Sequence, residues 1–254
     1  MCGRYSITTP EEALRALFEY GGPPRNLRAR YNAAPSQELP IVRRKPRGER
    51  VLDVARWGLI PSWAGESAVA RNLINARADT VAAKPSFRTA FRERRCLVPA
   101  DGFYEWQGEG AGKQPYRIEL PGRAPFAFAG LWESWTPTAD TALAGAGHAL
   151  ESFAIVTTDA SPTIAAIHHR MPVILPEPAW QTWLDPDSSA STLQNLLVAY
   201  VGPIEAYKVS RRVNNVRNDD ETCLAPLDEA TPAPAAAPAP RKRAKRDAKQ
   251  GSLF

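Results

Sequence analysis

Four strand-like segments follow one another through the middle of the chain without a helix between them, and this spacing constrains the fold most. The segments span residues 96–99, 116–120, 126–132 and 153–158, and glycine- and proline-containing turns separate them. Strands joined by short turns pair antiparallel, whereas parallel neighbours need helical crossovers. We therefore predict an α+β fold with a mixed, mostly antiparallel, barrel-like sheet and peripheral helices.

The flanking segments supply further strands and the helices. Thr9 is expected to cap a helix that buries Leu14 and Phe18 and ends at Gly21, because Pro10 and Glu12 stand where a capped helix begins. Residues 23–37 are expected to form a loop. Further strands are predicted at residues 39–42, 51–60, 171–175 and 206–213, and helices at 86–95, 162–167, 177–184 and 191–200.

The composition changes near residue 227. Residues 231–240 contain only Thr, Pro and Ala, and the basic run 241–246 follows. Such a segment cannot bury a core. We therefore predict one domain over residues 1–227 and a disordered tail over 228–254. No run of about 18 apolar residues occurs, which favours a cytoplasmic protein without a membrane segment.

The three cysteines, Cys2, Cys96 and Cys223, lie far apart and match no disulfide or zinc spacing. The sequence therefore indicates a reducing compartment and no metal site, and we expect no cofactor.

Basic residues are concentrated in the first half of the chain. Residues 25–95 hold 16 Lys and Arg against 6 Asp and Glu, whereas residues 96–227 hold 8 against 15. The first half is therefore expected to bind a polyanion, although a solvated arginine-rich surface would have the same composition. Aromatic residues among the arginines favour single-stranded nucleic acid. The aromatic candidates are Trp57, Trp63, Phe87 and Phe91.

The chain begins Met-Cys-Gly-Arg, so removal of Met1 would leave Cys2 as the N-terminal residue. Its α-amine and thiol titrate near ~8 and ~8.5 in unperturbed peptides, and both are then partly nucleophilic at neutral pH. The pair can attack one aldehyde carbon and close a thiazolidine ring. Arg4 supplies a cation suited to a neighbouring phosphate.

Four further stretches are more polar than a packed core requires. Taken singly, each has a structural explanation: Asn75 could cap a turn, and Arg77 could pair with Asp79. Glu105 could be a surface carboxylate at a strand end, and His168 could be a satisfied histidine before a strand. The stretches are Tyr-Asn-Ala-Ala-Pro at 31–35, Ile-Asn-Ala-Arg-Ala-Asp at 74–79, Asp-Gly-Phe-Tyr-Glu-Trp at 101–106 and Ile-His-His-Arg-Met-Pro at 167–172.

Together with the N-terminus and with Trp57, Gly58 and Pro61, these stretches resemble the ordered motifs of the SRAP family. These SOS-response-associated peptidase-like proteins shield abasic sites in single-stranded DNA. The resemblance runs from residue 2 to about 225. It implies a covalent thiazolidine link between Cys2 and the ring-opened sugar, which would shield the lesion during replication.

The resemblance also implies roles for individual residues. Asn75 would orient the reacting atoms, Glu105 would act as general acid and base, and His168, rather than His169, would transfer a proton to the sugar ring oxygen. These three and Cys2 are expected to converge in one cleft, with arginines at its rim. The implied DNA-binding residues are Arg4, Asn32, Pro35, Trp63, Arg77 and Arg170.

This chain departs from the family's pattern at two positions. Ser62-Trp63 stands where some members have a tryptophan pair, which leaves Trp63 and Pro35 as candidates for holding the DNA kinked. Pro85 stands where some members carry a phosphate-contacting arginine. Lys84 or Arg88 would have to replace it.

Two other functions remain open. A cysteine-dependent peptidase would use the same nucleophile, acid, amide and imidazole, and a non-catalytic single-strand binder would need only the basic surface. We expect a nucleoid-associated monomer.

The last five residues resemble a bacterial sliding-clamp-binding pentapeptide, with Gly251 departing where leucine is usual. Gln250, Ser252, Leu253 and Phe254 match it. A flexible tail ending in such a peptide would tether the domain to the clamp.

Overall fold

The computed structural model of the protein describes residues 2–65, 73–141 and 143–227. The tail predicted over 228–254 lies outside these residues. The strands are β1 (Tyr5–Ile7), β2 (Arg30–Ala33), β3 (Glu38–Arg44), β4 (Arg50–Trp57), β5 (Asn75–Arg77), β6 (Arg95–Ala100), β7 (Gly102–Gln107), β8 (Gln114–Glu119), β9 (Phe126–Trp135), β10 (Leu150–Asp159), β11 (Arg170–Pro172), β12 (Ile174–Leu175) and β13 (Glu205–Lys208).

The helices are short and lie outside the sheets. They are α1 (Glu11–Phe18), α2 (Arg88–Glu93), α3 (Pro162–Ala165), α4 (Trp180–Leu184) and α5 (Ala190–Asn195). Helix α1 buries Leu14 and Phe18, and the Phe18 ring stacks on Trp180 with centroids 4.5 Å apart.

Five long strands form a closed ring. Strand β10 pairs with β9 on one side and with β4 on the other, and β4, β3, β6 and β9 are joined in that order. Closure removes the exposed edges of these strands. Most pairs are antiparallel, but β4 and β5 both run parallel to β10. The structure confirms the α+β, mostly antiparallel, barrel-like fold.

A second sheet holds the N-terminal strand between two neighbours, in the order β13-β8-β7-β1-β2. Tyr5 pairs with Phe103 of β7 and with Ala33 of β2. The main chain at Arg4 also accepts a hydrogen bond from the Tyr104 N–H at 3.0 Å. The segment that carries Cys2 is therefore fixed to the sheet.

A buried ionic cluster fixes the other end of β1. The Asp101 carboxylate accepts hydrogen bonds from the Ser6 hydroxyl (2.6 Å) and from the Thr8 N–H (2.5 Å) and hydroxyl (2.8 Å). Arg117 donates to Glu119 at 2.5 Å and lies 3.5 Å from Asp101. A Cβ added to Gly102 would lie 2.6 Å from the Arg117 guanidinium, so the Asp-Gly step is required by packing.

Several local predictions are wrong. Thr9 does not cap α1: Pro10 occupies the cap position, and the Thr9 hydroxyl donates to Asp101 instead. The helix ends at Phe18, because Glu19 adopts a left-handed conformation (φ 52°) before Gly21 is reached. The predicted loop 23–37 contains β2, and the Asp-Gly-Phe-Tyr-Glu-Trp motif contains most of the unpredicted strand β7.

The aromatic residues expected to meet nucleic acid are mostly in the core. Trp57, Phe87 and Phe91 are buried, whereas Trp63 is 65% exposed. Only Trp63 of the four is therefore available to a ligand.

Among the described residues, no helix has the length and apolarity needed to cross a membrane. In the same part of the chain, no group of three or more His, Cys, Asp and Glu could hold a metal ion.

Candidate active site

An open cleft of about 400 Å³ lies where β7 and the segments before β11 and after β13 meet. Its lining combines two cations, a carboxylate, an imidazole, an amide and an indole. The lining residues are Arg4, Glu105, Trp106, Lys113, His168 and Asn214.

Cys2 is fully buried beside this cleft. Burial raises the pKa of its thiol well above the ordinary value, and the negative charge of Glu105 raises it further. The thiol is therefore neutral at pH 7, and the expectation of a partly ionised thiol is wrong. A base must remove its proton before the sulfur attacks.

Glu105 is placed by the pairing of β1 with β7. Tyr5 lies opposite Phe103 and Ser6 opposite Gly102, so the same register sets Glu105 opposite Gly3, next to Cys2. Burial raises the pKa of this carboxyl to about 7. Glu105 therefore populates both its acid and its carboxylate form near neutral pH, as a general acid and base requires.

His168 lines the cleft, whereas His169 is exposed. His168 Nδ1 lies 2.9 Å from the Arg170 N and 3.1 Å from the Arg170 carbonyl oxygen, so it accepts from the first or donates to the second according to the tautomer of the ring. Burial lowers the pKa of His168, so the ring is neutral at pH 7. The stacked ring of His169, 4.4 Å away between centroids, restricts its rotation.

Arg170 fixes the backbone next to His168. Its side chain is buried and donates to the Thr157 carbonyl at 2.6 Å and to Asp159 at 3.2 Å. The expectation that Arg170 lies at the rim of the cleft is therefore wrong. Its guanidinium holds the His168 loop against β10.

Asn75 contacts Cys2 directly. Its Nδ2 donates to the Cys2 carbonyl at 2.8 Å. Its Oδ1 is buried and has no hydrogen-bond partner among the described residues. An unused acceptor beside a nucleophile is an unfavourable arrangement unless a ligand or the reacting amine donates to it.

Arg4 is held in place by three hydrogen bonds. It donates to Asn32 Oδ1 (2.9 Å), to the Val213 carbonyl (2.6 Å) and to the Asn214 carbonyl (3.2 Å). Asn32 is fully buried, and its amide also donates to the carbonyl of Asn218 at 2.8 Å. Asn32 therefore positions Arg4 and the 213–218 segment, and it is not at the surface where DNA would bind.

The other predicted DNA-binding residues are accessible. Arg77 is exposed and pairs with Asp79 at 2.7 Å, as its structural explanation proposed. Trp63 is exposed and Pro35 is half-buried. Lys84 and Arg88 are both exposed. The structure therefore brings Cys2, Asn75, Glu105 and His168 together and leaves Arg4 and Arg77 with exposed surface.

A model of the family described as SOS response associated peptidase (SRAP) matches residues 1–216. The chain belongs to the SRAP family.

Similar proteins occur in both Bacillus subtilis and Gallus gallus. The chain is 38% identical to "Abasic site processing protein YoaM" of Bacillus subtilis over 229 residues, which are 88% of this chain and 97% of that protein. It is 34% identical to "Abasic site processing protein HMCES" of Gallus gallus, covering 81% of this chain and 68% of that protein. A solved structure of a Bacteroides thetaiotaomicron protein matches with a TM-score of 0.79 at 30% identity, covering 89% of this chain and all of that one.

Sequence reasoning missed two residues of this SRAP cleft, Lys113 and Asn214. Lys113 follows the tip of the β7–β8 hairpin, and Asn214 lies near the end of the domain. The Asn214 side chain accepts a hydrogen bond from Trp106 Nε1 at 2.7 Å. No local pattern links either residue to Cys2, because only the sheet pairing brings these segments together.

Proposed function

We propose that this SRAP protein binds single-stranded DNA at abasic sites and links to them covalently through Cys2 after Met1 is removed. The observation that carries the proposal is the position of Glu105. Its carboxyl has a pKa of about 7, and the pairing of β1 with β7 sets it opposite Gly3, the neighbour of Cys2. The names of the relatives, which process abasic sites, agree with it.

The reaction requires one group that acts first as an acid and then as a base. The Cys2 amine adds to the sugar aldehyde, Glu105 protonates the resulting hydroxyl, and water leaves to give a protonated imine. The carboxylate so formed takes the thiol proton and returns to its acid form. The sulfur attacks the iminium carbon, and the electron pair of the C=N bond passes to the nitrogen, which becomes neutral. The product is a thiazolidine, and one water is released overall.

Asn75 and His168 assist these steps. The vacant Asn75 Oδ1 would accept a hydrogen bond from the Cys2 amine and orient its lone pair. In the tautomer in which Nδ1 accepts from the Arg170 N–H, the neutral His168 ring would donate from Nε2 to the sugar ring oxygen, which favours the open aldehyde. Arg4 and Arg77 would bind phosphates, and Trp63 and Pro35 would hold the bases apart.

The raised thiol pKa argues against a general cysteine peptidase. Such an enzyme needs a thiolate, and burial keeps the Cys2 sulfur protonated at neutral pH. An amine that reacts first does not need one. Removal of Met1 is the one peptidase reaction that this proposal requires.

The function is tested by incubating the protein with three single-stranded oligonucleotides: abasic, intact, and abasic with the aldehyde reduced to an alcohol. We expect a denaturation-resistant complex with the first alone. A product with the reduced oligonucleotide would show chemistry other than carbonyl addition. A complex with intact DNA that survives denaturation would equally contradict the proposal, and complexes that all dissociate would indicate a non-catalytic binder.

We further propose that the residues after 227 tether the domain to a replicative sliding clamp. Deleting residues 250–254 should remove binding to the purified clamp and leave the adduct yield on free oligonucleotides unchanged, because Leu253 and Phe254 would fill the clamp's apolar pocket. Surface plasmon resonance on immobilised clamp measures this. Equal binding by the full-length and shortened proteins, or binding by neither, would rule out the tether.

A further inference from the structure

Most cations around the cleft are already engaged by groups of the protein. Arg4 donates to one amide and two carbonyl oxygens, Arg170 is buried against Thr157 and Asp159, and Arg77 pairs with Asp79. The carboxylates therefore partly neutralise the charges of Arg77 and Arg170, whereas Arg4 keeps its charge but is held by three oxygen atoms of the protein.

Lys113 differs from these arginines. Its side chain is exposed, lines the cleft beside Glu105 and His168, and forms no ion pair with any described residue. Its positive charge nevertheless acts on the reacting groups. It opposes the effect of burial on the pKa of Glu105, and it adds to the lowering of the pKa of His168 that burial causes.

The backbone around Lys113 is held in place, so its side chain starts from a fixed point of the main chain. Arg211 donates to the carbonyl of the preceding residue, Gly112, at 2.9 Å. The side chain of the following residue, Gln114, donates to the Val209 carbonyl at 2.9 Å. Two hydrogen bonds with the segment after β13, one accepted by Gly112 and one donated by Gln114, thus flank Lys113.

We propose that Lys113 is a specificity-determining residue that binds a phosphate carried by the reacting sugar. This inference rests on the proposed covalent reaction at Cys2. The cleft of about 400 Å³ has room for one sugar and its phosphate, and Glu105 and Lys113 both line it. A lysine ammonium binds phosphate as a point charge and needs no fixed approach angle. The site therefore takes phosphorylated hydroxyaldehydes as a class, of which an abasic nucleotide is one.

Free sugars test this directly. Wild-type protein is mixed with 2-deoxyribose 5-phosphate or with 2-deoxyribose, and mass spectrometry follows the gain of one sugar less one water on Cys2. We expect the phosphorylated sugar to react about three- to tenfold faster relative to its open-chain fraction. Lys113→Met should remove this preference, and Lys113→Arg should retain most of it.

Lys45→Met is the matched control. Lys45 lies in a separate cavity with Arg43 and Trp132, which shares no residue with the cleft, and its loss removes the same charge. An equal preference for the two sugars in the wild-type protein would overturn the proposal. So would an equal preference in the wild type and Lys113→Met.

Crosslinking of an abasic oligonucleotide distinguishes failure of the phosphate role of Lys113 from failure of the proposed function. With Lys113→Met, the oligonucleotide concentration for half-maximal crosslinking should rise about three- to tenfold, and the limiting rate constant, compared at the pH at which each protein reacts fastest, should not change. A fall in the limiting rate constant would place Lys113 in the chemical step and overturn the phosphate role. If wild-type protein crosslinks the oligonucleotide and shows no preference between the free sugars, the inference fails and the proposed function stands.

Discussion

Cys2→Ala should eliminate the denaturation-resistant product with abasic DNA and leave the affinity for the oligonucleotide at its wild-type value. The small alanine still permits removal of Met1, so the variant keeps a free α-amine beside Asn75 and Glu105. That amine can form an imine with the sugar. Without the sulfur the imine cannot close a ring, and water reverses it during denaturation.

Borohydride makes the result of this experiment specific. Reduction before denaturation should restore a covalent band for Cys2→Ala, because it converts the imine into a stable amine. A protein with Gly-Ser placed before Cys2 keeps the thiol but moves the amine away, and it should give no band with or without reduction. A stable band for Cys2→Ala without reduction, or crosslinking by the extended protein, would contradict the thiazolidine mechanism.

Glu105→Gln should lower the crosslinking rate by about 10²- to 10⁴-fold, because glutamine can neither protonate the leaving hydroxyl nor accept the thiol proton. The acid form of Glu105 is lost as the pH rises through about 7, and the carboxylate is lost as the pH falls through about 7. The wild-type rate should therefore have its maximum near neutral pH. In Glu105→Gln the rate should instead increase steadily with pH, as the buried thiol begins to ionise.

Single-turnover rates on an abasic oligonucleotide, measured across the pH range, check this expectation. Glu109→Gln is the matched control, because Glu109 is exposed on the same β7–β8 hairpin and should leave both rate and profile unchanged. A Glu105→Gln profile with the wild-type maximum would assign the neutral titration to another group.

The residues of the proposed reaction could be predicted because their motifs are local in sequence. The resemblance to the SRAP motifs is enough to choose His168 over His169. The surroundings of each residue could not be predicted in the same way. Asn32 and Arg170 belong to polar motifs that suggest a ligand, but their partners at Val213, Asn218 and Thr157 are set by sheet pairing and distant loops.

Burial explains the other errors. Trp57 lies among arginines in the sequence, yet it is fully buried, because it lies in strand β4 of the closed ring. The Cys2 thiol was given the pKa of a free cysteine, whereas desolvation raises it. Both errors come from properties of the folded surroundings, which neighbouring residues do not encode.

The bonds that hold Arg4 also set when the nucleophile is organised during synthesis. Arg4 donates to Val213 and Asn214, more than 200 residues further along the chain. A ribosome adding 5–20 residues per second needs about 10–40 s to produce them. Throughout that time Arg4 lacks these two partners, and the segment that carries Cys2 has only the contacts with strands already synthesised, such as β2 and β7. A polypeptide that terminates early never gains these contacts, so an ordered reactive centre belongs only to chains translated through the whole domain.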